Sequence, residues 1–153
     1  EELAKAARFG LGGRGYAGST RWAGYAAKKM PDLLAQSQDE TVVIAQIEEP
    51  AAVEIADSIA RIEGIDGLFA GPADLSVGMG YKNQDSNELK AALKKVGLAA
   101  KEHGKGYASF IGEADQAKSW AEDYGVNMFF VGSEHSFMRN KANEISLRNK
   151  KIS

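Results

Sequence analysis

TVVIAQIEEPAAVEIADSIARIEGIDGLFAGPADLS (Thr41–Ser76) is the stretch that decides the fold. Its first residues, Thr41–Glu48 (TVVIAQIE), are β-branched and apolar and read as a strand. Glu49-Pro50 then opens a helix, because proline suits the first helical position. Val53, Ala56, Ile59 and Ala60 give that helix one buried face, and Gly64 ends it. Gly67–Gly71 (GLFAG) is the next strand. Strand, helix, strand in this order demands a right-handed crossover and a parallel pair. The apolar runs are nearly continuous, without clean alternation, which predicts a sheet covered on both faces.

The same punctuation repeats downstream. Gly106–Ile111 (GYASFI) and Asn127–Gly132 (NMFFVG) read as two more strands. Asp85-x-x-Glu88 resembles a capping box, with Asp in place of the usual Ser or Thr. Leu89, Leu93, Val96 and Ala100 follow at helical spacing to Gly104. Ala114, Ala117, Trp120, Ala121 and Tyr124 form another stripe, ended by Gly125. Phe137, Met138, Ala142 and Ile145 mark a last helix. Upstream lie a short helix from Glu1 to Ala7, a Gly-rich loop and a helix around Asp32–Gln36. The class is α/β. Two architectures remain open: a small doubly wound sheet, or part of a (β/α)8 barrel, of which four βα units are half.

The 153 residues are enough for a single domain, residues 1–153. Nineteen Lys and Arg against 21 Asp and Glu leave a net charge of −2, which offers no footprint for nucleic acid or an anionic membrane. At 44% hydrophobic and 26% charged, the composition is globular rather than disordered. The absence of cysteine excludes disulfides, zinc–thiolate sites and cysteine nucleophiles. No apolar run approaches the roughly 20 residues of a membrane span, and nothing reads as a signal peptide. A cytoplasmic protein is expected. The chain opens at Glu1 without an initiator Met, so it is expected to be a piece of something longer.

Function in α/β sheets gathers at the carboxyl ends of the strands. Gln46 and Glu48 are two residues apart at such an end and point to the same side. Glu48 also reads as the first polar residue of a surface loop, or as a helix N-terminal carboxylate. Gly71-Pro72-Ala73-Asp74-Leu75-Ser76 follows the next strand, where an irregular turn can make an anion-binding nest. Asp74 beside Glu48 suits a hard divalent cation, with water and substrate oxygens completing the shell. The other reading of Asp74 is a turn or helix cap. Gly12-Gly13-Arg14-Gly15 with Arg21 suggests an anion or a surface loop, but lacks P-loop spacing. His103 precedes Gly104 at a helix end, a structural position, and His135 follows the last strand. Trp22, Trp120, Tyr124 and Phe129-Phe130 read as core or interface.

Taken whole, Gln46–Tyr81 resembles the HpcH/HpaI aldolase family, the metal-dependent pyruvate aldolases. Its members look like QIE, a helix, GIDG, GP-x-DLS and GY, all of which stand here. The resemblance extends to Arg8-Phe9-Gly10, Gly13-Arg14-Gly15 and Thr20-Arg21 upstream, and to Val131-Gly132-Ser133 and Met138-Arg139 downstream. It implies a (β/α)8 TIM barrel, of which this chain covers the C-terminal half, strands five to eight with their helices. Hexamers that exchange the last helix are common in the family. The resemblance also implies a site for Mg²⁺, Mn²⁺ or Co²⁺ held by Glu48 and Asp74. Gln46 then contacts substrate or its water, and the backbone N–H groups of Ala73 and Asp74 meet the pyruvate carboxylate. The expected activity is a lyase reaction: aldol cleavage or condensation of a 2-keto acid with an aldehyde through a pyruvate enolate.

Family members also carry a catalytic His after the second barrel strand and a substrate-binding Arg after the third. Both positions fall in an N-terminal half outside this stretch. Neither His103 nor His135 matches that His, so no catalytic residue is assigned here. Two alternatives stand beside the aldolase: a non-catalytic metal-binding fragment, and a citrate-lyase-like acyl-CoA lyase. Half a barrel would expose strand edges at Thr41–Glu48 and Asn127–Gly132, together with the inner sheet face. It is expected to need a complementing N-terminal half, homo-oligomerisation or rearrangement.

Overall fold

The computed structural model describes residues 1–150, the side chains of residues 149 and 150 excepted. All four strands form, three of them shorter than the sequence suggests: β1 (Ile44–Ile47), β2 (Gly67–Ala70), β3 (Gly106–Ile111) and β4 (Met128–Val131). They pair in the order β1-β2-β3-β4, every pair parallel. Before the sheet come α1 (Glu2–Ala7) and α2 (Met30–Glu40). Between strands lie α3 (Pro50–Glu54), α4 (Ala56–Ala60), α5 (Pro72–Gly78), α6 (Asn87–Glu102) and α7 (Ala117–Tyr124). The last helix is α8 (Glu134–Lys150).

Helix α6 organises the core. It lies under β2 and β3 and touches α3, α4, α5 and α7. Its Leu89, Leu93, Val96 and Ala100 are buried, as the helical spacing predicts. They meet Ala45, Ile47, Leu68, Ala70 and Tyr107 from the sheet in one cluster. Each buried Leu, Ile or Val side chain stabilises the fold by about 1.5–3 kcal/mol. The Tyr107 phenol is drawn into this layer, and its hydroxyl donates to the Leu93 carbonyl at 2.9 Å. Burial raises its pKa, since a phenolate there would lose its water.

Helices cover only one face of the sheet, which corrects the expectation of two covered faces and removes the doubly wound alternative. The reason is the strand order. Each strand lies beside its predecessor, so successive right-handed crossovers put the helices that connect them on the same side. The opposite face carries Gln46, Phe69, Ala108 and Met128 in register, with Phe110 beside Phe130. Phe110 is 43% exposed and Phe130 is 50% exposed. The continuous apolar runs therefore reflect a second face without a helical cover.

Three local expectations also shift. The helix from Pro50 to Gly64 breaks at Ile55 (φ −109°, ψ 16°) into α3 and α4, while Val53, Ala56 and Ala60 remain buried. The Asp85–Glu88 capping box does not form. Ser86 caps α6, its Oγ accepting the Leu89 N–H at 3.1 Å, because the Asp85 N–H is turned onto Asn83 Oδ1. Glu88 accepts a hydrogen bond from Tyr81, which raises the phenol's pKa. In α8 the stripe of Phe137, Met138 and Ile145 is more than half exposed.

His103 ends α6, and its Nε2 lies 2.7 Å from Asp57 Oδ1 on α4. Arg61 holds the other Asp57 oxygen at 2.8 Å. The hydrogen bond to His103, and then Arg61, hold the Asp57 carboxyl below its usual value of 3.8. A depressed folded-state value stabilises the fold above that usual value, and the contribution is lost as pH falls through the lowered one. Asp57→Asn should therefore flatten the acid limb of melting temperature against pH and leave its shape above neutrality unchanged. An acid limb identical to that of the unsubstituted chain would exclude this linkage.

Candidate metal and carboxylate site

β1 stops at Ile47 and β2 at Ala70, so Glu48 and Gly71 are the first residues beyond the carboxyl edge of the sheet. Gln46 is exposed on the uncovered face. Strand alternation carries Glu48 to the same side. The Gln46 Nε2 donates to Glu48 Oε2 at 2.6 Å, which fixes the direction of that carboxylate. The next strand ends in a helix rather than an irregular turn. Pro72 takes the first position of α5, where its missing N–H costs nothing, and Asp74 falls in the first turn.

Asp74 makes no capping bond to its own helix. Its carboxylate turns toward Gly71 instead. A Cβ built on Gly71 would stand 3.4 Å from Asp74 Oδ2, 3.4 Å from Glu48 Cβ and 3.8 Å from Gln46 Nε2. The Asp74 carboxylate, the Gln46 amide and the stem of Glu48 thus meet where glycine leaves room. Gly71 has an ordinary φ of −92°, so it contributes space rather than unusual backbone. The sequence reading did not single out this role. The signal was a glycine directly after an apolar strand, and only the register shows what surrounds it.

Glu48 and Asp74 are both exposed. Neither is in an ion pair among the described residues. The N–H groups of Ala73 and Asp74 have no partner there either, as the first turn of a helix dictates. Among the described residues no group of three or more His, Asp or Glu is gathered. The arrangement is two carboxylates, one amide and two free N–H groups. That donor set is hard oxygen, and a cation such as Mg²⁺ uses one or two carboxylates with water and substrate oxygens.

The other candidates lie elsewhere. The Arg14 guanidinium stacks 4.6 Å over the Phe9 ring, and Phe9 packs against Tyr16 and Trp22. Arg14 is thereby a packing residue. Arg21 is exposed in a turn, its carbonyl accepting the Gly24 N–H. The His103 ring is engaged with Asp57. His135 has an 82% exposed side chain whose Nδ1 is 3.3 Å from Glu134. Among the described residues no helix is long and apolar enough to cross a membrane.

Fold and site together define an α/β protein with two carboxylates at the carboxyl edge of a parallel sheet. The HpcH/HpaI aldolase/citrate lyase family model matches residues 5–140, and the chain belongs to that family. A hydroxypyruvate/pyruvate aldolase of Delftia acidovorans is 34% identical over 148 residues, covering 92% of this chain and 52% of its own length. A 4-hydroxy-2-oxo-heptane-1,7-dioate aldolase of Escherichia coli is 32% identical over 137 residues, 89% of this chain and 50% of its own. The crystal structure of a family protein from Burkholderia cenocepacia superposes with TM-score 0.84 at 27% identity, covering 97% of this chain and 58% of that one. A more distant fold relative is a citrate lyase beta subunit from M. tuberculosis, complexed with oxaloacetate and magnesium. It matches at TM-score 0.51 and 16% identity, over 65% of this chain and 50% of that one. The chain spans about half the length of the relatives it matches.

Proposed function

We propose that this chain is the metal-binding portion of a divalent-metal-dependent lyase that cleaves or forms aldol bonds of 2-keto acids, pyruvate with an aldehyde. On this reading its sheet is half of an eight-stranded (β/α)8 barrel, strands five to eight. The observation that carries the function is the convergence of Gln46, Glu48 and Asp74 on Gly71.

Glu48 and Asp74 would hold Mg²⁺, Mn²⁺ or Co²⁺, and two unpaired carboxylates suit such a charge. When bound, the cation supplies Lewis-acid stabilisation of negative charge on the keto oxygen. Gln46 keeps Glu48 aimed through the 2.6 Å bond and presents its amide to substrate. The free N–H groups of Ala73 and Asp74 receive the substrate carboxylate at the start of α5. Charge develops on the keto oxygen as a methyl proton leaves or the carbon–carbon bond breaks, giving the pyruvate enolate. This chain assigns no residue to the proton transfer.

The test is exchange of pyruvate methyl protons in D₂O, followed by NMR with and without Mg²⁺. Metal-dependent exchange supports the reading. No exchange with metal still bound would favour a non-catalytic metal-binding role for the isolated chain. Cleavage of an acyl-CoA ester without action on pyruvate would favour the citrate-lyase-like alternative.

Gly71→Ala probes the cradle separately. Its contacts at 3.4 Å or more are ordinary and its φ is allowed, so the melting temperature should hardly move. The methyl group would occupy the space between the polar groups, and Mn²⁺ affinity should fall by about tenfold or more in calorimetric titration. Unchanged affinity would place the cation away from Gly71.

A further inference from the structure

Ser109 stands on β3, an inner strand, and is fully buried, with 0% of its surface exposed. Its neighbours Ala108 and Phe110 stand on the uncovered face, so Ser109 turns to the helical layer with Tyr107 and Ile111. That layer is apolar, and a hydroxyl buried there costs stability unless it is hydrogen-bonded. The Ser109 Oγ donates to the Ala70 carbonyl at 3.0 Å. Packing alone would be served better by alanine or valine. The reaction read above makes no use of this hydroxyl.

What the bond holds is one peptide. The Ala70 carbonyl and the Gly71 N–H belong to the same planar unit. The Gly71 N–H donates to the Ile47 carbonyl at 3.1 Å. The unit between Ala70 and Gly71 is thus tied to β3 on one side and to β1 on the other, at the carboxyl edge of the sheet. Ile47 directly precedes Glu48. Gly71 is the N-cap of α5, and its carbonyl accepts the Leu75 N–H at 3.0 Å. Turning this peptide would turn the start of α5, and with it Asp74 and the N–H groups of Ala73 and Asp74, relative to Glu48. We propose that Ser109 is a positioning residue of the site: through the Ala70–Gly71 peptide, its hydroxyl sets the place of Asp74 against Glu48. The proposal rests on the reading of those two carboxylates as the cation ligands.

Calorimetric titration with Mn²⁺ tests it, with hydrogen exchange read at the Gly71 amide. Ser109→Ala leaves both carboxylates and removes only the buried hydroxyl. Its Mn²⁺ affinity should fall by about tenfold, the low end of what losing an orienting partner costs, and its Gly71 amide should exchange faster. Ser109→Thr keeps the hydroxyl on a β-branched side chain suited to a strand and should restore both. Ser37→Ala is the control. Ser37 is also buried, but its hydroxyl meets Thr41 Oγ1 at 3.4 Å at the end of α2, so that variant should bind Mn²⁺ like the unsubstituted chain. Undiminished affinity in Ser109→Ala, beside a loss in Glu48→Ala, would overturn the proposal and leave the site standing. An equal loss in Ser37→Ala would also overturn it, since lowered stability rather than position would then be the cause. So would a Ser109→Thr protein of unchanged melting temperature that binds as weakly as Ser109→Ala. If the unsubstituted chain binds no Mn²⁺, or Glu48→Ala binds it equally well, the site falls and the proposal with it.

Discussion

Glu48→Ala is expected to weaken divalent-cation binding by at least about 100-fold, beyond the 10–100-fold typical of losing a residue that only orients a ligand. Metal-dependent exchange of pyruvate protons should disappear with it. The residue is exposed at the strand end, so the fold should survive and the melting temperature should stay close to its original value. Asp74→Ala should behave alike. Gln46→Ala is the informative contrast. It leaves both carboxylates and removes only the 2.6 Å bond that aims Glu48, so a loss of roughly 10–100-fold is expected. Calorimetric titration with Mn²⁺ orders the three. Equal binding by the unsubstituted and Glu48→Ala proteins would remove Glu48 from the site.

Gly97→Ala is expected to be the most damaging conservative change in the core. Alanine in a helix interior is normally favoured over glycine by roughly 0.5–1 kcal/mol. Here the sign reverses. A Cβ on Gly97 would collide with the Tyr124 carbonyl oxygen and stand 3.0 Å from the Tyr107 ring. The first obstacle is backbone at the end of α7, which cannot swing aside as a side chain could. Overpacking costs about 1–3 kcal/mol and sometimes more, so a net loss of about 2 kcal/mol or more is expected. Urea unfolding measures it. A Gly97→Ala midpoint at or above that of the unsubstituted chain would mean that α6 and α7 are not this close.

Much of the fold was legible because local chemistry and tertiary demand agree. β-branched and aromatic runs marked all four strands. Pro50, Gly104 and Gly125 marked helix ends, and Gly125 sits left-handed at φ 80°. Where two local signals competed, the reading slipped. Asp85 and Ser86 could each cap α6, and the turn through Asn83 decided for the serine. The stripe of α8 has helical spacing, but spacing does not state whether a neighbour is present to bury it.

At the site, the residue types and their strand-end positions were legible. Gln46 stands on β1, Glu48 just beyond its end and Asp74 in the first turn of the helix after β2, and hard-cation chemistry follows from oxygen donors without cysteine. The placing of Asp74 beside Glu48 was read from the order of the strands; the part of Gly71 was not legible, because it depends on the register that sets Gln46 beside Phe69 and Gly71 one step beyond the strand end. The sequence by itself determined the parallel α/β order, the helix that fills the core and the residues fit for a cation. Only the tertiary structure decided that the connecting helices cover one sheet face rather than two, and that Gly71 lies between Asp74, Gln46 and the stem of Glu48. The reason is range. Periodicity and caps act within a few residues, while face, edge and cradle arise from pairing between segments that meet only in the folded sheet.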